Sequence, residues 1–261
     1  MLSLSRERGT LVSNPLVRKL NRFVPLGDAE IAALESLSRN PKTHPAGHDL
    51  IREGAKPEYV FLLMKGWAYR YKSLPSGRRQ IMAYLIPGDL CDIHIFLFDE
   101  MDHSIGLLSA AEVVAIPAAQ MLEVMNRFPK IERALWWATL VDEATLREWL
   151  LNVGQRNAYE KLSHLFCEMA VRMEAVGLID HDGSFSLPLT QAELADTTGL
   201  TSVHVNRTLQ RMRRDKLIEI GQQRLMILDR AGLRESGGFN PNYLHVEKKA
   251  SQASTGAALS A

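Results

Sequence analysis

The apolar residues of this chain change their spacing at Pro117, and that change divides the sequence into two kinds of structure. Upstream, short apolar runs at Tyr59–Met64, Trp67–Tyr71, Ile81–Ile86, Ile93–Phe98 and Val113–Ile116 alternate with Gly47, Gly54, Gly66, Gly77 and Gly88. Runs of this length bounded by turn residues read as strands, spaced as a small barrel or roll of hairpins requires. Pro75-Ser76-Gly77 and Pro87-Gly88-Asp89 are turn chemistry, because proline presets φ and glycine accepts positive φ. Ahead of the strands, Leu26, Ile31, Leu34 and Leu37 are roughly helical in period.

Downstream of Pro117 the period is helical. Ala118–Arg127 reads as a short helix ended by Phe128-Pro129, and one long helix runs from Lys130 to about Val153. A surface helix needs one apolar stripe, but this one has enough for two. One stripe serves the chain's own roll. The other, read as Leu135, Ala138, Val141, Asp142, Thr145 and Trp149, predicts a homodimer seam with two polar interruptions. The competing reading is a central helix buried within one subunit. After a break at Asn152–Gly154, a helix over about Arg156–Ala175 opens a smaller domain.

Residues 190–214 read TQAELADTTGLTSVHVNRTLQRMRR. Thr190 with Glu193 three residues later is a capping box, which starts a helix. Thr198-Gly199-Leu200 is a turn in which Gly199 can take the left-handed conformation. Thr201 can cap a second helix running to about Lys216. Leu194, Ala195, Leu200, Val205, Thr208 and Leu209 fall where two crossed helices touch, with Ala195 small enough for close approach. This is a helix-turn-helix, whose second helix enters a major groove. Leu217–Ile220, Gly221-Gln222-Gln223 and Arg224–Leu228 predict a hairpin, and Phe185–Leu187 a third strand, giving a winged form.

Charge agrees with the pattern. The chain has 31 basic and 30 acidic residues and a net charge of +1, which excludes a globally basic nucleic-acid coat. Yet on the second helix Arg207, Arg211, Arg213, Arg214 and Lys216 stand against a single acid, Asp215. The bland reading is a solvated helical face; its place on the nominated helix favours phosphate contact. Thr201, Ser202, Val203, His204, Asn206 and Arg207 occupy the first turns, where base-edge readers sit. Arg207 suits a bidentate contact to guanine, and Asn206 an adenine or a phosphate.

Two cysteines, Cys91 and Cys167, argue against a disulfide framework and a cysteine-only metal centre. The opening MLSLSRERGT lacks the apolar core of a signal peptide, and no run approaches ~18 apolar residues. The expectation is a cytoplasmic protein without a membrane partner. No P-loop, G-x-S-x-G or H-E-x-x-H occurs, so no enzyme is expected. Asp102-His103-Ser104 is adjacent in sequence only, which is no triad.

With these elements in order, the chain over about residues 20–235 resembles the bacterial Crp/Fnr superfamily, relatives of the cyclic-AMP receptor protein. PAGHDLIREGAKPEYVFLLMKGWAYRY, SGRRQIMAYLIPGDLCD and TSVHVNRTLQ carry the likeness. The resemblance implies an α+β fold. A cyclic-nucleotide-binding-like double-stranded β-helix, or jelly roll, serves as sensor over residues 1–129. A dimerisation helix spans 130–153 and a winged helix-turn-helix 154–235; beyond the resemblance, the small and polar stretch 236–261 reads as a flexible tail in which Tyr243, Leu244 and Val246 can dock locally. The resemblance implies a homodimeric transcription regulator that reads a pseudo-palindrome, with RNA polymerase and a small-molecule effector as further partners.

The departures from the family pattern bear on the effector. Where the cyclic-AMP receptor has Arg-Ser for the cyclic phosphate, this chain has His103-Ser104, and near the ribose-binding Glu it has Asp92 or Ile93. A largely neutral histidine cannot make arginine's forked contact, so cyclic AMP is not the expected ligand. Gly88, Asp89, Asp92, His94, His103 and Ser104 are the expected effector pocket. The N-terminal cysteine cluster of Fnr-type oxygen sensors is absent, which argues against an iron–sulfur centre. Val203 stands where the family often has Glu; it suits a thymine methyl, so a different half-site is expected.

Cys91, His94 and His103, with His44 and His48, are the only residues that suggest heme or a transition metal, and structural roles are the safer reading. Cys91 also suggests a redox thiol, and Cys167 a core residue. Arg78-Arg79 read as solvated hairpin-tip charges, or as a tip facing the DNA-binding domain. Two alternatives remain at this level: an oligomeric module whose helix-turn-helix binds protein, and a cupin-like metalloenzyme.

Overall fold

The computed structural model describes residues 14–93 and 97–246. The chain opens on α1 (Pro15–Phe23) and α2 (Asp28–Leu37). Asn14 caps α1 by accepting from the Leu16 amide at 3.0 Å, and Pro15 presets its first turn. Eight strands follow: β1 (Lys42–His44), β2 (Asp49–Ile51), β3 (Tyr59–Lys65), β4 (Ala68–Ser73), β5 (Arg79–Leu85), β6 (Leu90–Cys91), β7 (Ser104–Leu107) and β8 (Ala111–Pro117). They form two four-stranded antiparallel sheets, ordered β1-β8-β3-β6 and β2-β7-β4-β5, which enclose one core as a jelly roll.

Helix α3 (Ala118–Arg127) leads into α4 (Pro129–Gln155), the longest helix described. Helix α5 (Ala158–Ala175) begins at an Asn157–Glu160 capping box. Then come β9 (Ser184–Ser186), α6 (Gln191–Thr198), α7 (Ser202–Arg214), β10 (Ile218–Gly221), β11 (Arg224–Ile227) and α8 (Arg230–Gly237). Strands β10, β11 and β9 make the three-stranded wing in that order. No described helix is long and apolar enough to cross a membrane.

Four expectations need correction. Of the Ile93–Phe98 run, the described residues Ile93, Leu97 and Phe98 are not in a strand: β6 ends at Cys91, and Leu97 and Phe98 are exposed. Leu135, Ala138, Val141 and Trp149 are not an open seam. All four are buried, the first two in the core of the roll and Trp149 against α5. Asp142 and Thr145 lie beside them, and the large apolar residues that α4 leaves exposed are instead Trp136, Leu140, Leu146, Leu150 and Leu151. The flexible tail does not begin at Ser236, because Phe239, Tyr243 and Leu244 are buried against α5. There Tyr243 donates to Glu168 at 2.8 Å. Finally, Arg79 is not a solvated tip charge but follows the second reading, facing the DNA-binding domain, where it pairs with Asp196 of α6 at 2.8 Å.

The last correction reflects how the core divides. One cluster fills the roll and takes in α1 and α3. The second joins α5, α6, α7 and the wing to Trp67, Tyr69, Ile81, Tyr84 and Ile86, which belong to the roll by sequence. Strands β4 and β5 thus offer their outer face to the helix-turn-helix unit as core. Tyr84 is the centre of that face. Its ring lies edge-on to Trp67 (6.1 Å) and Trp149 (5.5 Å), and its hydroxyl bonds the Thr197 hydroxyl at the end of α6.

Candidate nucleic-acid interface and effector cleft

The helix-turn-helix is set by local chemistry. Thr190 and Glu193 close the predicted capping box, the Thr190 amide donating to Glu193 at 2.6 Å. Gly199 takes φ 67°, the left-handed cap that turns the chain between the helices. Thr201 spends its hydroxyl capping α7, accepting from the His204 amide at 3.2 Å. Val205, Thr208, Leu209 and Met212 face inward. Ser202, Val203, His204 and Arg207 point outward, with Val203 62% exposed, and Asn206 is half-buried.

The basic end of α7 is more committed than its charge suggests. Arg213 donates to the Ile220 carbonyl and ties α7 to the wing. Arg211 stacks over Tyr159 at 4.8 Å, whose hydroxyl donates to Asp215 at 2.8 Å. Arg207, Arg214 and Lys216 are exposed. The wing turn is unusual in that Gln222 and Gln223 both take positive φ, 50° and 58°, where glycine or asparagine is the common choice.

The sensor residues form an internal ion cluster. His103 Nε2 lies 3.0 Å from Asp92 and its Nδ1 2.6 Å from Asp102. Arg70 reaches Asp92 at 3.1 Å, an ion-pair contact without hydrogen-bond alignment, and Asp142 of α4 at 3.2 Å. Burial opposes the charge on Asp92, but Arg70 and His103 outweigh it and hold the carboxyl below the usual range. Burial also works to lower His103, yet the bonds to Asp92 and Asp102 lift it above the ordinary histidine range.

The other predicted pocket residues have partners within the fold. Asp89 is buried and receives Lys19 of α1 at 2.6 Å, Arg172 of α5 at 3.0 Å and the Ile86 amide at 3.0 Å. Gly88 takes φ 94°, and a Cβ there would stand 2.6 Å from the Pro15 carbonyl oxygen. Ser104 accepts from the Glu53 amide at 2.9 Å. His94 lies outside the described residues. Cys91 is buried and burial pushes its thiol up, the opposite of a reactive thiolate; Cys167 is likewise pushed up to about 12. His44 and His48 stack at 5.0 Å, and among the described residues no group of three metal-ligating side chains occurs.

Sequence reasoning missed Arg70, Lys19 and Arg172, and it placed Asp142 on a dimer seam. These residues meet across separations of 70 to 83 positions, and no local pattern announces such pairs.

Residues 160–236 match the Crp-like helix-turn-helix domain, and residues 41–128 match the cyclic nucleotide-binding domain. The transcriptional activatory protein AadR of Rhodopseudomonas palustris is 30% identical over 221 residues, covering 82% of this chain and 87% of that protein. The chain belongs to the Crp/Fnr superfamily. The transcriptional activator protein FnrL of Cereibacter sphaeroides is 29% identical over 212 residues, covering 80% of this chain and 84% of the relative. The structure of FixK2 from Bradyrhizobium japonicum shares the fold, with a TM-score of 0.68 at 21% identity over 76% of this chain and 96% of that one. This Crp/Fnr protein is a DNA-binding transcription regulator, and the protein-binding and metalloenzyme alternatives gain no support.

Proposed function

We propose that this Crp/Fnr regulator works as a homodimer that reads a pseudo-palindrome with α7 and answers to a small effector held beside Asp89, Asp92 and His103. The exposed first turn of α7 carries the reading. Arg207 contacts a guanine, Val203 a thymine methyl, and Ser202, His204 and Asn206 complete the readout. Arg214 and Lys216 contact phosphates, whereas Thr201, Arg211 and Arg213 hold the helix and wing in place. The two subunits join along Leu140, Leu146, Leu150 and Leu151, apolar residues that one chain leaves 46–74% exposed. The relatives' names support an activator, which would make RNA polymerase a partner, and a reader of the chromosome acts in the cytoplasm.

Selection of duplexes from a random pool by the purified protein at near-physiological salt tests this. Enrichment of a two-fold-related pair of half-sites about one helical turn apart is the expected outcome. No enrichment from a folded dimer, with and without candidate effectors, would overturn it.

A further inference from the structure

A cleft of about 480 Å³ opens between the jelly roll, α4 and the DNA-binding unit. Its apolar wall comes from all three: Phe23, Met82 and Leu85, then Val141, then Val176 and Leu244. Its ionic residues are already matched. Asp89 is held by Lys19 and Arg172, and Arg70 by Asp92 and Asp142. His103 sits between Asp92 and Asp102, and Glu143 pairs with Arg147 at 2.6 Å. Arg22 is the exception, and it donates to two carbonyls, Ala175 at 2.7 Å and Val246 at 2.6 Å.

A cation would enter this cleft without a counter-ion, and an anion would find only Arg22, whose two terminal nitrogens already donate to carbonyls; any other ionic contact has to break a pair and leave another buried charge alone. A ligand with an apolar body meets complementary surface and loses nothing. From this we infer that the cleft binds an uncharged, largely apolar small molecule, not a nucleotide or other strong anion. The inference rests on reading the cleft as the effector's place. Because the wall is shared by the sensor and the DNA-binding unit, such a ligand would contact both at once. Its occupancy would be linked to how the two are held.

The test uses the full chain and the neutral fluorophore N-phenyl-1-naphthylamine. Saturable binding at one site per chain is expected, with no displacement by cyclic AMP. Met82 is half-buried, so Met82→Trp fills the cleft and Met82→Glu places an unmatched acid on its wall. Each should weaken the probe by about tenfold or more, roughly 1.4 kcal/mol, while the circular dichroism spectrum stays unchanged. Absence of saturable binding would overturn the inference. So would equal affinity in both variants, or displacement by cyclic AMP. Probe binding by the native chain with no change in its duplex affinity would sink the effector reading instead and leave the cleft assignment standing.

Discussion

Arg172 of the DNA-binding unit donates to Asp89 of the sensor's Pro-Gly-Asp turn at 3.0 Å, and Lys19 of α1 reaches the other oxygen of the same carboxylate at 2.6 Å. One buried side chain therefore fastens three parts of the fold. Asp89→Ala leaves two cations facing each other without their counter-ion, which should cost about 3–5 kcal/mol. Lys19→Met should cost less, since Arg172 keeps its partner. Urea unfolding of both variants checks the ranking, and equal losses would refute it.

Gly88 combines a backbone angle that L side chains rarely adopt with a close approach to Pro15. Gly88→Ala has to displace the start of α1 as well as bear the strain, so it should destabilise by about 1–3 kcal/mol. Gly77 has a similar φ of 81° but open space around it, and Gly77→Ala should cost only the backbone part. Thermal unfolding of the pair separates crowding from strain.

The His103 cluster gives stability a pH dependence with a definite sign. Its folded-state affinity for a proton is raised, so the contribution is full below about pH 6.5, the unfolded histidine range. It is lost as pH rises through the higher folded value. The difference in Tm between the native chain and His103→Gln should therefore shrink from mildly acidic to alkaline pH. A difference that grows with pH would contradict the arrangement.

His164 behaves in the opposite sense. Burial and then Arg156 depress it to about 4, against the pull of Glu148. A histidine kept neutral in the fold adds stability above about pH 6.5 that is lost as pH falls toward 4. Titration by NMR should find this imidazole unprotonated at pH 5.5, and a normal titration near 6.5 would refute its burial.

On DNA, Arg207→Ala should cost about 1–3 kcal/mol and relax preference at one position of the half-site. Arg214→Ala should weaken all sequences alike and lower the salt slope by about one. Arg213→Ala should act through the wing that it fastens, reducing thermal stability as well as affinity. Binding to a set of single-base variants at two salt concentrations distinguishes the three.

The local parts of this fold were readable. The Thr190–Glu193 box, the Gly199 turn and the Thr201 cap are short-range devices, and each is where its spacing predicts. The start of α1 was equally open to reading, since Asn14-Pro15 is a helix-start signal. What the sequence hid is long-range. The apolar residues of α4 announce two faces but not which one meets the roll, so Leu135 and Trp149 were assigned outward. Ile93–Phe98 has strand composition, but among its described residues Leu97 and Phe98 are exposed outside any strand. The ion pairs of Arg70 and Asp89 depend on how whole elements dock, and periodicity carries no trace of that.

Because Tyr84, Trp67 and Ile86 supply core to the helix-turn-helix unit, the sensor and the reader are not interchangeable parts. A hybrid that joins the first 155 residues of one relative to the reading domain of another would set a foreign surface against α6. Shuffling at the obvious linker would thus break a core that the linker does not bound. A workable hybrid has to bring along the outer face of β4 and β5, so in this lineage a change of DNA target by domain exchange requires both sides of that contact to be inherited together.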